Sequence, residues 1–580
     1  MGGKRIKMIC ARCLIMLLVC LLVGCRGAPQ PAFDVTYPVE MLPTVTASGL
    51  MTPTPTAMPT PEPVTLFMGD TVPMEILAWD RLPGIQRSDS HSAALWLGPA
   101  VDAPAGDVLS ESSWVYALAA PFPTLVDDIT ISDLHAYWLG NPEGDLSSIP
   151  RLYVPEALVS ALSGSWGAPA PALVKAYQNP PEIDLLWETN AWVILPFEQL
   201  APKLKVISLE GHSPLFKDFE LARYPLVIQF QLVQTENTKG QPLEAEIAAV
   251  IAAFKPSNRD PDKMTTLVMT GVTALVRAIA YRMEIHGVLY PGEKIRDWLI
   301  EADLAHISNE VSFYEDCPFP DPTSQRLLFC SDPKYIELLA DVGADIIELT
   351  GNHNNDALFV YGYDAVPFTL DLYEQYGMSY FGGGRDVAEA KAPLLVTHNG
   401  NQLAFIGCNA FGPDFAWATE DQGGAAPCED YLWMAEEINR LRDEGYLPIA
   451  TFQYYEDYYD FAASHHIRDF GLMAEAGAVI VNGSQAHRPK AMAFDHDAFI
   501  DYGLGNFFFD QRWTIDMYGN VIVQTSWEII QRHTFYEGRH LSTELLTAML
   551  EDFSQPRPMT LAERQVFLAE LFEASGWKSR

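Results

Sequence analysis

The stretch Asp345-Ile-Ile-Glu-Leu-Thr-Gly-Asn-His-Asn-Asn-Asp356 decides how this chain is read. An apolar strand, Asp345 to Leu349, runs into a loop built almost wholly from glycine, asparagine, histidine and aspartate. A helix expected over Pro333 to Val342 precedes it and closes at Gly343, since glycine readily takes the left-handed conformation that ends helices. Helix, turn, buried strand and polar loop in that order belong to an α/β domain.

Working outward, the same arrangement recurs. Thr265 to Thr270 reads as a buried strand followed by Gly271-Val-Thr-Ala-Leu-Val-Arg277, and Leu304 to Ser308 as a second that ends at Asn309-Glu310. Pro448 to Phe452 leads into Gln453-Tyr-Tyr-Glu456. A helix over His465 to Ala476, capped by Gly477, precedes the strand Ala478 to Asn482, which empties into Gly483-Ser-Gln-Ala-His487. Phe499-Ile-Asp-Tyr-Gly-Leu-Gly-Asn506 closes the series before Phe507-Phe-Phe-Asp510. Each polar cluster follows the carboxyl end of a strand, where ligand sites form in open α/β sheets. Loops are polar in any protein. Two histidine-bearing loops, each ending a strand, nevertheless favour a site.

This order of motifs resembles the CapA-type capsule, or poly-γ-glutamate, biosynthesis proteins over residues 264 to about 512. The resemblance implies an α/β fold of the metallophosphatase type, an αββα two-sheet sandwich. Asn352-His353 with Asp356 match the family's NNHxxD, Asn309-Glu310 approximate its Asn-x-Glu, and Gly505-Asn506-Phe507 match its GNF. The departures concern ligands. Gly271-Val272 stands where the family has Gly-Asp, Gln453 where it has a histidine, and Gln485 where it has the first histidine of Gly-x-His-Pro-His. The Glu of its His-x-Gly-x-Glu segment falls on Asp457, beside Glu456. A dinuclear hydrolytic site needs several anionic or imidazole ligands, and amide carbonyls are weak neutral ones. Loss of the aspartate and two histidines is expected to cost the second metal and leaves the first in question.

The expected site takes His353, Asp356 and Glu456 as the catalytic groups, with His353 a general acid near neutrality. Glu310, Asn352 and His487 are the candidate ligands of one divalent ion. Arg277, Ser484, Gln485, Arg488 and Asn506 are the candidate substrate-binding residues. Three readings stay open: a one-metal site, a metal-free binding site, and an inert polar network. Gly382-Gly-Gly384 lacks the Lys-Ser/Thr of a phosphate-cradling loop.

A first α/β region is expected over 65–258, a second over 262–545, and a helical tail over 546–580, with a Pro-punctuated boundary at Lys255 to Asp262. In the first region, Ala119 to Thr124 followed by Ile131 to Gly140 resembles the start of a solute-binding-protein lobe. Trp114, Tyr116 and Trp138 are read either as lining a cleft or as core. The alternative function is accordingly a solute-binding or sensor lipoprotein with a non-catalytic second region.

Lys4, Arg5, Lys7 and Arg12 precede an apolar run of 11 residues, Cys13 to Val23. That is short of the roughly 20 a spanning helix needs and suits a signal segment. Leu22-Val-Gly-Cys25 resembles a bacterial lipobox. The expectations are a signal peptide over 1–24, lipidation of Cys25, a Pro/Thr-rich tether over 25–64, and an extracytoplasmic protein anchored to the cell membrane. Of eight cysteines, four remain beyond the lipobox. An even number in an exported chain favours disulfides, and short loops favour Cys317–Cys330 and Cys408–Cys428.

The 580 residues carry 37 basic and 75 acidic side chains, net −38. Removing residues 1–24 takes away four basic residues and no acid, leaving −42. Such a surface argues against a nucleic-acid partner. It also repels a polyanion at long range, so an anionic polymer needs a local cationic pocket or bridging cations. Arg277, Arg488 and Lys490 are the residues placed to form one.

Overall fold

Residue alternation explains the second region's two main sheets. In the computed structural model, Met264–Thr273, Leu304–Asn309, Ile346–Glu348 and Ser379–Phe381 run parallel in that order. Antiparallel Trp527–Tyr536, Arg539–Glu551 and Gln555–Pro558 extend the other edge of Met264–Thr273. A second sheet places Leu394–His398, Asn401–Asn409, Leu447–Gln453, Ile480–Asn482, Ala498–Asp501 and Met492–Asp495 side by side. Its four central strands are parallel.

Successive side chains of a strand point to opposite faces. Leu267, Met269 and Ile346 of the first sheet share one apolar cluster with Phe405, Ile449 and Ile480 of the second. The alternate residues Val268, Ile307 and Ile347 pack instead against Ile279, Leu338 and Leu370, from the helices Arg277–His286, Ile336–Asp341 and Ala365–Gln375. Likewise Ile406, Ala450 and Val481 pack against Met434, Ile438 and Phe470 of Leu432–Asp443 and Ser464–Glu475. On the faces that share the apolar cluster, the strands become polar toward their carboxyl ends. His306 and Ser308 follow Leu304, Glu348 follows Ile346, Thr451 and Gln453 follow Ile449, and Asn482 follows Ile480; all six polar residues are buried. The site lies at that end.

The described residues are 63–579 apart from 80, 81, 83, 239–243, 325, 363, 512, 513 and 517. The expected signal segment, Cys25 and the tether up to residue 62 lie outside them. Among the described residues no helix is long and apolar enough to cross a membrane.

The first region builds a nine-stranded mixed sheet from strands between Val64 and Thr235. Trp114, Tyr116 and Trp138 are at most 2% exposed and belong to its core, not to a cleft. The stretch 255–262 is pinned rather than loose. Asn258 accepts from the backbone N–H of Val115 (2.7 Å) and donates to its carbonyl (2.9 Å), closing both ends of one peptide position. The helical tail needs correction. Residues 546–558 continue the strand Arg539–Glu551 and form Gln555–Pro558, and the helix spans only Leu561–Ala574. Thr560 and Glu563 start it with a capping box. Both expected disulfides are present, Cys317–Cys330 and Cys408–Cys428.

Candidate functional site

Gly351 sets the depth of the site. A Cβ there would lie 2.3 Å from the Cα of Glu310, so only glycine lets the loop after Ile346–Glu348 press onto the end of Leu304–Asn309. That contact puts His353 over Glu310. Glu310 is completely buried, and neither carboxylate oxygen has a hydrogen-bond partner. Burial pushes its pKa up; the neighbouring His353 and His487 pull it down, and Glu456 and Asp356 add to the rise. Two imidazoles and two further carboxylates therefore surround one orphaned carboxylate.

Both imidazoles are held by the same nitrogen. His353 Nδ1 lies 2.6 Å from Asp356 Oδ2. A carboxylate only accepts, so Nδ1 carries the proton and Nε2 is left for other work. Asp356 also takes the backbone N–H of Phe329 at 2.7 Å, which fixes its carboxylate. His487 Nδ1 lies 2.9 Å from Asn506 Oδ1. The amide of Asn506 is oriented by donation to the carbonyls of His487 (3.1 Å) and Thr525 (2.9 Å), so its oxygen must face the ring and His487 Nδ1 also carries the proton. His487 Nε2 then points at Glu456 Oε1, 3.5 Å away. Burial would lower the His487 pKa, but Glu456, Glu310 and Asn506 outweigh it and lift it to about 9. His353 is raised in the same way: Asp356 and the surrounding carboxylates overcome burial. Glu456, despite burial, is lowered by the two histidines and Asn352. Asn352 Nδ2 reaches Glu456 Oε1 at 3.4 Å, and its own Oδ1 is buried without a partner.

The position where an aspartate is missing is filled by carbon. Val272 clusters with Val276, Val311, Phe329 and Phe509. The Phe329 ring lies 4.3 Å from that of His353, and Phe509 stacks on His487 at 5.1 Å. Gln453, in place of the expected histidine, is fully buried, with neither amide atom paired.

Glu310, Asn352, His353, Asp356, Glu456, His487 and Asn506 are thus brought together. Five other residues expected at the site or its cationic pocket are engaged elsewhere. Arg277 donates from Nε and Nη2 to the same oxygen of Asp510, at 3.0 and 2.6 Å, and its guanidinium lies over Phe329 and Phe509. Ser484 donates to Glu348 (2.6 Å) and Gln485 to Ser308 (2.5 Å), both within the buried polar layer. Arg488 donates to the carbonyl of Tyr458 and lies 3.8 Å from Asp460. Lys490 is buried on Asp457 and the carbonyl of Tyr459. The three cations placed for a polyanion pocket are all paired with local acids.

Sequence reading missed two groups. His306 and Glu348 form a fully buried pair at 3.2 Å beneath the site. Each sits inside an apolar strand, where a single polar residue gives no local signal. His465 and His466 were read as the start of a helix, yet they gather with Asp457.

Residues 266–511 match the family model described as bacterial capsule synthesis protein PGA_cap. The capsule biosynthesis protein CapA of Bacillus anthracis is 21% identical over 267 residues, 45% of this chain and 64% of that protein. The PGA biosynthesis protein CapA of Bacillus subtilis (strain 168) is 26% identical over 184 residues, 31% of this chain and 46% of that protein. The chain therefore spans less than two thirds of either relative. Among solved structures, the NAD nucleotidase NadN of Haemophilus influenzae aligns at 10% identity and a TM-score of 0.27, over 54% of this chain and 56% of that one; so low a score carries no argument. The similarity to CapA-type capsule proteins, first read from three motifs, therefore holds across the stretch that carries the site.

Proposed function

We propose that this is a membrane-anchored, extracytoplasmic CapA-like protein that acts in synthesis, export or attachment of an anionic capsule polymer, through a reduced, one-metal site on an αββα sandwich of the metallophosphatase type. The observation that carries the reading is Glu310: a completely buried carboxylate with two unpaired oxygens, faced by two histidines. A buried charge is costly unless it is paired or coordinates a metal.

The donors fit one hard or borderline divalent ion. Glu310 supplies an anionic oxygen, Asn352 an orphaned amide oxygen, and His487 an imidazole whose far nitrogen is fixed by Asn506, the outer support that ligating histidines ordinarily have. Glu456 lies beside them. With Val272 and Gln453 replacing the other anionic and imidazole donors, a second ion has no comparable ligand set. A bound ion would supply positive charge beside an anionic group of the substrate. His353, oriented by Asp356, is then the group that holds and delivers a proton from Nε2. Phe329 packs against the ring of His353 and Phe509 against that of His487.

The paired state of Arg277, Arg488 and Lys490 supports a bridging cation as the means by which so acidic a protein meets a polyanion. The test is cell-surface anionic polymer in the producing bacterium. Glu310→Gln and His353→Ala are expected to reduce it to the level of a deletion strain; wild-type levels in both would overturn the proposal.

A further inference from the structure

The loop between Leu447–Gln453 and Ser464–Glu475 carries adjacent acids that look in different directions. Glu456 turns to His487 and Asn352. Asp457 turns to His465 and His466, and one ligand atom from each of these three residues lies within 4.8 Å of the others. None of the three belongs to the site around Glu310.

The spacing suits an ion better than a hydrogen bond. His466 Nε2 lies 3.8 Å from Asp457 Oδ2, too far for a hydrogen bond. Two ligands each about 2.0–2.1 Å from zinc at a tetrahedral angle stand roughly 3.3 Å apart, so a small inward movement suffices. His466 is 1% exposed, and its Nδ1 has no hydrogen-bond partner. The other oxygen of Asp457, Oδ1, is held by the ammonium of Lys490. That contact orients the carboxylate without covering Oδ2, as outer partners of ligating carboxylates do. The ring of His465 lies 4.6 Å from that of His466 and stacks on Tyr454 at 5.6 Å. Asp457 and His465 are half-buried, so solvent reaches the cluster on one side and a water can complete the shell.

We infer that Asp457, His465 and His466 form a second metal site, separate from Glu310, for a borderline divalent transition ion of the zinc class. Two imidazoles and one carboxylate with one open position are the donor set such ions take. The ion ties the start of the helix Ser464–Glu475 to the loop that carries Glu456, and so fixes one wall of the neighbouring site.

The test is calorimetric titration of the chelator-stripped full chain with Zn²⁺, paired with Co²⁺ absorption in the visible. His465→Ala is expected to lose one equivalent of Zn²⁺, or to weaken that equivalent at least tenfold, and to lose the matching Co²⁺ bands. Glu310→Gln is expected to retain both signals. His465 is half-buried, and an unchanged far-ultraviolet circular dichroism spectrum shows that the variant is folded; His465→Gln, closer in shape, serves if it is not. The inference is overturned if either folded variant keeps the wild-type stoichiometry and affinity, or if the wild-type chain takes up Zn²⁺ only through the equivalent lost in Glu310→Gln.

Discussion

His353, in the loop, and Asp356, at the start of the helix that follows it, form a dyad in which Nδ1 lies 2.6 Å from Oδ2, while Asp356 is itself locked by the backbone N–H of Phe329. The carboxylate both chooses the tautomer and favours the protonated ring. Asp356→Asn removes that charge while keeping the shape. The His353 imidazole is expected to titrate at lower pH in this variant than in the parent, read by NMR of labelled histidine. An unchanged titration would show that the dyad does not set the proton affinity of His353.

Glu310 is a burden on the metal-free fold. Its orphaned carboxylate has lost water without gaining a hydrogen bond. Leaving a buried polar group unsatisfied costs about 1–3 kcal/mol, more when it is charged. Glu310→Met, similar in length and without a polar group to leave unpaired, is therefore expected to stabilise chelator-treated protein at pH 8 by about 1–3 kcal/mol, measured by denaturant unfolding. The same variant is expected to lose the stabilisation that added divalent ion gives the parent.

Gly351 has no room for a side chain against Glu310. Gly351→Ala is expected to cost about 1–3 kcal/mol through overpacking and to disturb the site, whereas Gly362→Ala, where nothing lies within 4 Å of the added carbon, gives a reference for backbone strain alone because its φ is positive. A smaller loss at Gly351 than at Gly362 would refute the close-approach argument.

Asp127 joins the first region to the C-terminal helix through Arg564, at 2.7 and 2.8 Å, and within its own region it pairs with Lys205 at 2.6 Å. Burial alone would raise its pKa, but Arg564 and Lys205 outweigh it and hold the carboxyl at about 2, against 3.8. A lowered carboxyl pKa stabilises the fold above its unfolded value, so this contribution is complete above pH 3.8 and is lost as the pH falls through about 2. The carboxylate is 40% exposed, and solvent screening limits the pair to about 1 kcal/mol. Asp127→Asn, which removes the charge and leaves the other contacts of Arg564 with Leu545 and Thr547 in place, is expected to cost that amount at pH 7 and nothing at the acid limit, by denaturant unfolding at both pH values.

Much of the architecture was legible because its strands announce themselves. Apolar runs such as Asp345 to Leu349 end in polar loops, and GNHNND and GSQAH each follow such a strand. The motifs pointed to His353, Asp356, Glu310, Glu456 and His487, which the fold places beside one another. Their spacing said nothing about direction. Ser484 and Gln485 sit in the same loop as His487, yet they turn back into the buried layer to meet Glu348 and Ser308. Arg277 offered a positive charge in sequence, but Asp510, 233 residues away, uses it. His306 was hidden because a strand with one inward polar residue still reads as a buried strand. The tail was misplaced because the alternating burial of Arg539–Glu551 continues past residue 545, where the helix was expected to begin its domain.

On the proposed reading the cluster around Glu310 holds one ion and not two. Electron paramagnetic resonance of the chelator-stripped chain titrated with Mn²⁺ tests it most directly. In the His465→Ala background, which removes the ligand set around Asp457, a single, magnetically uncoupled Mn²⁺ that disappears in Glu310→Gln is expected. A spin-coupled pair of ions, or Mn²⁺ binding that Glu310→Gln leaves unchanged, would contradict it.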